Sequence, residues 1–427
     1  MSNSRPRYST AYQRYVTLLL LSVYVFNQAD RSVFSILMEP IKNELLLSDT
    51  QLGFLAGPAL VVLYVTLGVP IAHFADRSHR VNIMTVAIGA WSSIVMLSAI
   101  VGSFWQLVLA RVGVGIGEAG FSAIAQSVIA DYHAPKERTQ ALSIFMLGIP
   151  LGSVVSYLMG GWVNQAFGWR LAFVVAGAPG IALCMLMNRT VKEPLISANR
   201  AGSNEGSSLR DALGSIWRQR ALRHLLIAQA VLNTVLSCER VWLPAFLIRT
   251  QGLQTGRVGA WAALAEGAGG GFGIWLGGYL ANRYGAADQS KQARVMAVAT
   301  VLALPLVVIA LWYPLFYFAM PFWLLSFVAM FLFLGPLFSL VQSLCVPATR
   351  ATVASLFILV QVLCGSIFGV QVLGMVSDAL APLVGSGTAL RWAMTAASVL
   401  IPWAALHFCL AARAIRDEVS LQIIPPT

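Results

Sequence analysis

Apolar stretches about 20 residues long recur along the whole chain, and each is long enough to cross a hydrocarbon layer of about 30 Å as a helix. Twelve can be marked, near 14–38, 51–74, 83–102, 104–130, 140–165, 169–188, 223–249, 258–281, 292–313, 319–345, 351–378 and 387–412. Their Gly, Ala, Leu and Val show no strict alternation, which argues for helices; strands of an outer-membrane barrel would be about ten residues long and alternating. Only 11% of residues are charged and the mean hydropathy is +0.75, whereas soluble domains carry about 25% charge. The reading is therefore all-α and polytopic, with 12 transmembrane helices. The first run is too long for a signal-peptide core, contains Asp30 and Arg31 and lacks a small-residue cleavage site, so it is expected to remain as helix 1.

The net charge of +11 is topological rather than a nucleic-acid footprint. With both termini inside, the inner loops take most of the 28 Lys and Arg, which places both termini in the cytoplasm. The five cysteines all fall within expected spans and lack ligand spacing, and His73 and His79 are six residues apart, so neither a disulfide, a metal site nor a cofactor is expected. No Walker motif, G-x-S-x-G or H-E-x-x-H is present, which points away from an enzyme. A G-x-G-x-x-G at Gly115, Gly117 and Gly120 follows no strand and lies inside an apolar helix, so it is not a dinucleotide fingerprint.

Between the sixth and seventh spans runs a Ser-, Gly- and Arg-rich linker with a short amphipathic piece near its end. It divides the chain into an N-terminal six-helix bundle (1–189), a cytoplasmic linker (190–222) and a C-terminal six-helix bundle (223–427). The halves carry matched sequences after their second helix, AHFADRSHR at 72–80 and GYLANRYG at 278–285. These resemble the G-x-L-A-D-R-x-G-R signature of the major facilitator superfamily, with Ala72 and His79 in place of glycines and Asn282 in place of the acid. The resemblance implies a gating latch of Asp76, Arg77, Arg80, Asn282 and Arg283. In this latch a carboxylate at the start of helix 3 caps free N–H groups and pairs with arginine.

A charge near the bilayer centre costs roughly 2.5–3.5 kcal/mol and needs a partner or a wet cavity. On helix 1, Asn27, Asp30, Arg31 and Phe34 lie at i, i+3, i+4 and i+7 and share a face. On helix 4, Arg111, Gly115, Glu118 and Ser122 form a second stripe, and Gly113, Gly115 and Gly117 are expected to let helix 1 approach. Pairing of Glu118 with Arg111 would favour its ionised form, and an anion drawing the arginine away would let the acid take a proton. A static ion pair that fixes packing is the alternative. On helix 7, Asn233, Ser237, Arg240 and Pro244 share a face from which Glu239 points about 100° away, so Arg240 is the residue expected to face a cavity. Glu266 heads a helix whose Gly269, Gly273 and Gly277 form a close-packing seam. Helix 5 spaces Gly148, Gly152, Ser156 and Gly160 in the same way.

The segments NQADRSVFSILMEPIKNELLLSDTQLG, ADRSHR, RVGVGIGEAGFSAIAQSVIADY, ATRATVASLFI and GSIFGVQVLGMVSDAL together resemble the Spinster-like branch of the superfamily, whose animal members move sphingosine phosphate or lysolipids. Carried over, the resemblance makes Asp30 and Glu118 protonation sites, Arg111 their partner and Arg31 a contact for an anionic headgroup. Val370 stands where the branch commonly has proline. The expected function is a proton-coupled secondary transporter of an amphipathic or organic anion, monomeric, in a cell inner membrane, working by alternating access. Substrate contacts would come from Asn27, Arg31, Phe34, Ser122, Arg240 and Trp242. The alternative is a proton-coupled symporter of a small carboxylate or sugar acid.

Overall fold

A computed structural model describes residues 8–76, 78–119, 121–194, 209–285, 288–346 and 349–420. The helices group into twelve of membrane length, several built of two segments. They are helix 1 (Thr10–Leu45), helix 2 (Asp49–Ala56 and Pro58–Asp76), helix 3 (Arg80–Leu97), helix 4 (Phe104–Glu118 and Phe121–Tyr132), helix 5 (Pro135–Met146 and Gly148–Phe167) and helix 6 (Trp169–Thr190). Then follow helix 7 (Arg220–Gln251), helix 8 (Thr255–Ala262, Ala263–Gly270 and Gly271–Gly285), helix 9 (Gln289–Trp312) and helix 10 (Phe316–Phe331 and Leu334–Leu344). Helix 11 (Arg350–Val362, Leu363–Gly369 and Val370–Val384) and helix 12 (Ser386–Ser398 and Leu400–Ser420) complete the set. The linker's amphipathic piece forms a short helix, Leu209–Arg218, which buries Ala212 and Ile216 and packs on helices 7 and 11.

Local chemistry explains the breaks. Ser48 and Gln51 form a reciprocal capping box that starts helix 2, and Pro58 opens its second segment, where a missing N–H costs nothing. Ten helical stretches are long and apolar enough to cross a membrane among the described residues. Helices 1 and 8, which carry Asp30–Arg31 and Glu266, are not among them. The middle segments of helices 8 and 11 are π-helical, a winding often found at functional positions.

By backbone proximity the chain forms two compact units. Unit 1 comprises Met1–Ala201 with Gly252–Ala263, and unit 2 comprises Gly202–Gln251 with Leu264–Thr427. The division runs near the linker, but the first segment of helix 8 groups with unit 1. There Gly161 of helix 5 and Gly259 of helix 8 bring the two backbones together.

Within unit 1 the glycines of helix 5, not those of helix 4, admit helix 1. A Cβ on Gly152 would sit 2.6 Å from the Val25 carbonyl oxygen, and Gly148 and Gly160 meet Tyr24 and Val33. The helix 4 glycines serve other neighbours. A Cβ on Gly115 would lie 2.2 Å from the Leu60 oxygen of helix 2, while Gly113 and Gly117 face Ile94 and Trp91 of helix 3. The expectation that they admit helix 1 is corrected, because the bulk they lack is bulk that helices 2 and 3 occupy. In unit 2, Gly269, Gly273 and Gly277 do form a seam, against Leu324, Val328 and Leu332 of helix 10.

The latch is also rearranged. Asp76 ends helix 2 instead of starting helix 3, its side chain lies outside the described set, and Arg77 lies outside the described residues. The carboxylate that caps helix 3 is Glu193, from the VKEP run after helix 6. Its Oε2 accepts from the Val81 N–H at 2.8 Å, and its Oε1 accepts from Arg80 Nε at 3.1 Å. Arg80, almost fully buried, also donates to Asp131 at 2.7 Å and to Ser127 at 2.8 Å on helix 4. At the matching loop of unit 2, Asp288 caps helix 9 by accepting from the Ser290 N–H at 2.9 Å, and these bonds hold its carboxyl below the usual range. Asn282 does not cap, because helix 8 continues past it to Gly285 and leaves it exposed. Arg283 is exposed as well and donates to the Tyr279 hydroxyl at 2.8 Å.

Two stability predictions follow from this packing. Glu193→Ala strands the Val81 N–H and removes one of the three Arg80 hydrogen bonds, so unfolding in detergent should show a loss of about 1–3 kcal/mol, whereas Asn282→Ala should stay within about 0.5 kcal/mol of the parent. Gly152→Ala should cost about 1–3 kcal/mol by overpacking helix 1. Gly278→Ala, whose Cβ meets nothing within 4 Å, should leave the melting temperature unchanged or slightly higher.

Candidate functional site

The polar face of helix 1 meets helix 4 in two ion pairs. Adjacent residues on a helix point about 100° apart, and residues seven apart lie about 10.5 Å apart along the axis. Asp30 and Arg31 therefore diverge, and each finds the helix 4 residue at its own level. Arg31 Nη2 lies 2.9 Å from Glu118 Oε2, and Arg31 Nε donates to the same oxygen at 2.9 Å. Arg111 Nη1 lies 3.6 Å from Asp30 Oδ2. The pairing is crossed: Glu118 is held by Arg31, and Arg111 serves Asp30. Arg111 and Glu118 share a stripe but are two turns apart, and each opposes a different residue of helix 1.

Aromatic rings and a backbone group complete the cation environments. The Arg31 guanidinium carbon stands 4.3 Å from the centre of the Tyr64 ring, and that of Arg111 stands 4.5 Å from the Phe34 ring. Arg111 Nε also donates to the Leu55 carbonyl at 3.4 Å. Asp30, Arg111 and Glu118 are buried, but the Arg31 side chain is 29% exposed. Several polar atoms of the cluster make no hydrogen bond. Among the described residues, Glu118 Oε1, both Asp30 oxygens and the Asn27 amide nitrogen are buried without a hydrogen-bond partner. Asp30 is thus held by charge alone, and Arg31 is the cation through which the cluster reaches open space.

Two of the expected contacts occupy different surroundings. Phe34 is 1% exposed and forms the platform beneath Arg111, so it borders no open space. Ser122 falls off the stripe because helix 4 breaks after Glu118: Ala119 turns out at ψ 125°, and a new segment begins at Phe121. Ser122 Oγ instead accepts from the Gln126 amide at 3.1 Å. The Gly-rich IGEAGF run is the signal for this interruption.

In unit 2, Arg240 Nη2 lies 2.5 Å from Glu266 Oε1, with side chains 36% and 5% exposed. Glu266 belongs to the π-helical segment of helix 8, so the acid at the head of the glycine seam is the partner of the helix 7 cation. Trp242 is fully buried, and its indole N–H donates to the Val370 carbonyl at 3.2 Å, fastening helix 7 to helix 11. Asn233 donates to the Gln361 carbonyl at 2.8 Å across the same contact. Glu239 points away from Arg240 and is fully buried.

At the other end of unit 1, Glu44 accepts from the Trp169 indole N–H at 2.6 Å and pairs with Arg170. These bonds hold its carboxyl below the usual range and tie the end of helix 1 to the start of helix 6.

The chain matches the family model described as Major Facilitator Superfamily over residues 20–370. An MFS-type efflux pump of Mycolicibacterium smegmatis is 32% identical over 408 residues, 94% of this chain and 93% of that protein. The sphingosine-1-phosphate transporter SPNS2 of Xenopus tropicalis is 32% identical over 54% of this chain, which spans less than half (45%) of that relative. The crystal structure of a bacterial homologue of the human lysosomal transporter Spinster, inward-facing and unoccupied, superposes with a TM-score of 0.87. That structure is 27% identical and covers 96% of this chain and 99% of its own. The matching family and the relatives named above are transporters rather than enzymes. The chain belongs to the major facilitator superfamily and is a Spinster-like, multi-pass membrane transporter of a small-molecule substrate.

Proposed function

We propose that the chain is a proton-coupled secondary carrier of an amphipathic or organic anion, acting as a monomer in a cell inner membrane with both termini cytoplasmic. The observation that carries this reading is the asymmetry of the Arg31–Glu118 pair: the cation is 29% exposed and the acid is buried. An arriving anion can share or take the Arg31 guanidinium, leaving Glu118 buried without its counter-charge. A carboxylate in that position is strongly disfavoured and takes up a proton. Release of the anion returns Arg31 to Glu118 and expels the proton. Asp30 and Arg111 form the second pair of the relay, with Arg111 supported by Phe34 and Leu55. An amphipathic cargo is supported by the likeness to the sphingosine-1-phosphate transporter SPNS2.

In this reading Asn27 and Arg31 contact substrate directly, with Arg240 and its Glu266 partner as the corresponding charged group of unit 2. Phe34 and Trp242 act from behind, as the supports of Arg111 and of the helix 7–helix 11 contact. Ser122 contributes through Gln126. Gating rests on Asp76, Arg77 and Arg80, with Asn282 and Arg283 as their counterparts.

In proteoliposomes, Glu118→Gln should abolish transport driven by a pH gradient while the purified variant elutes and melts as a folded protein. Normal gradient-driven uptake would remove Glu118 from the coupling. A thermal-shift screen against lysolipids, sphingoid phosphates and small organic acids should give stabilisation by an anionic amphiphile. Arg31→Ala should weaken that ligand at least about tenfold, equal to about 1.4 kcal/mol. Stabilisation by small acids alone, independent of chain length, would instead indicate a carboxylate symporter.

A further inference from the structure

Helix 7 sets two ionisable residues side by side, and they have different fates. Arg240 is engaged by Glu266. Glu239 is 0% exposed, and neither of its carboxyl oxygens has a hydrogen-bond partner. One turn to either side lie Val235, Leu236, Trp242 and Leu243, all buried. Among the described residues, none of the ionisable groups on its neighbours in unit 2 pairs with it. Helix 10 bears only Tyr317, exposed at its end; helix 11 bears Arg350, Cys364 and Asp378; helix 12 bears Arg391, His407, Cys409 and the group Arg413, Arg416, Asp417 and Glu418. On helix 7 itself stand Arg220, Arg223, His224, Cys238 and Arg249, and the short helix at its start adds Arg210, Asp211 and Arg218. Among the described residues none of these forms a hydrogen bond or an ion pair with Glu239. A bare carboxylate in such surroundings is far more costly than the neutral acid, so the side chain holds a proton while the packing lasts.

The packing around it is of a kind that can open. The turn before Glu239 rests on the π-helical segment of helix 11, and the turn after it on the residue that follows that segment. Gly365 lies against Asn233 and Ser237, Gly369 against Thr234 and Cys238, and the Trp242 indole bonds to Val370 just beyond. A π segment leaves the helix only a small register change from a different winding. We propose that Glu239 is a proton-carrying group of the C-terminal unit, protonated while helix 7 is packed on helices 10, 11 and 12 and deprotonated when that contact admits water. Its part in transport rests on the proton-driven reading above; its protonation does not.

The test is infrared spectroscopy of the full-length protein in lipid nanodiscs, with the proton itself as the probe. A carbonyl stretch of a protonated carboxylic acid, shifted on deuterium exchange, should be present at mildly acidic pH and disappear at alkaline pH. It should be missing from Glu239→Gln and retained in Asp30→Asn and Glu118→Gln. An undiminished band in folded Glu239→Gln overturns the assignment. A Glu239 band that persists unchanged to alkaline pH makes the residue a static neutral acid and overturns the carrier role. If Glu239→Gln does not fold, Glu239→Asp replaces it: a displaced band supports the assignment and an unmoved one overturns it. Should Glu118→Gln transport normally while the Glu239 band titrates, the coupling reading for helix 4 fails and this one stands.

Discussion

Charge within a hydrocarbon layer must be neutralised by the protein itself, and in unit 1 that requirement is met by helix 1 and helix 4 together. Neither helix satisfies it alone. Asp30 and Arg31 are neighbours in sequence but diverge in space, and Arg111 and Glu118 are separated by two turns. Crossing the pairs gives each group an opposite charge at its own depth, with Arg111 fastened by the Phe34 ring and the Leu55 carbonyl. The surrounding helices are arranged to keep this contact. Helix 5 lies tight on helix 1 through Gly148, Gly152 and Gly160, and helices 2 and 3 lie tight on helix 4 through Gly113, Gly115 and Gly117.

The two units handle buried charge differently. Unit 1 uses reciprocal pairs with one partly exposed cation. Unit 2 pairs Arg240 with Glu266 on a π-helical segment and, among the described residues, leaves Glu239 with no hydrogen bond or ion pair. The two units therefore carry unequal chemistry, which accords with the proposal that unit 1 answers to substrate charge while Glu239 of unit 2 carries a proton. The loops after the second helix of each half diverge in the same way. Arg80 gathers Asp131 and Glu193 into a buried cluster, whereas Asn282 and Arg283 stand exposed.

Much of the site was legible because membrane helices expose their exceptions. Asp30, Arg31, Arg111, Glu118 and Arg240 stand out in apolar runs, and the glycine spacing of helix 8 announces a seam that does form. What the spacing could not supply was the partner. The stripe of Arg111, Glu118 and Ser122 assumed an unbroken helix 4 and a shared neighbour, but the chain turns out at Ala119 before Ser122, and Asp30 and Arg31 take Arg111 and Glu118 separately. Glu193 and Asp131 were missed because their roles depend on where helix 6 ends and helix 4 passes, which no local pattern records.

The sequence by itself determined twelve apolar helices in two halves, a basic linker between them and the few positions where charge enters the membrane, because length, hydropathy and period are local properties. Only the tertiary structure decided which charge meets which, that Phe34 and Trp242 support from behind, that Glu193 caps helix 3, and that Glu239 has no ion pair or hydrogen bond among the described residues. Each of those depends on the rotation and depth of one helix against another, which close-packed side chains set jointly and no single segment encodes.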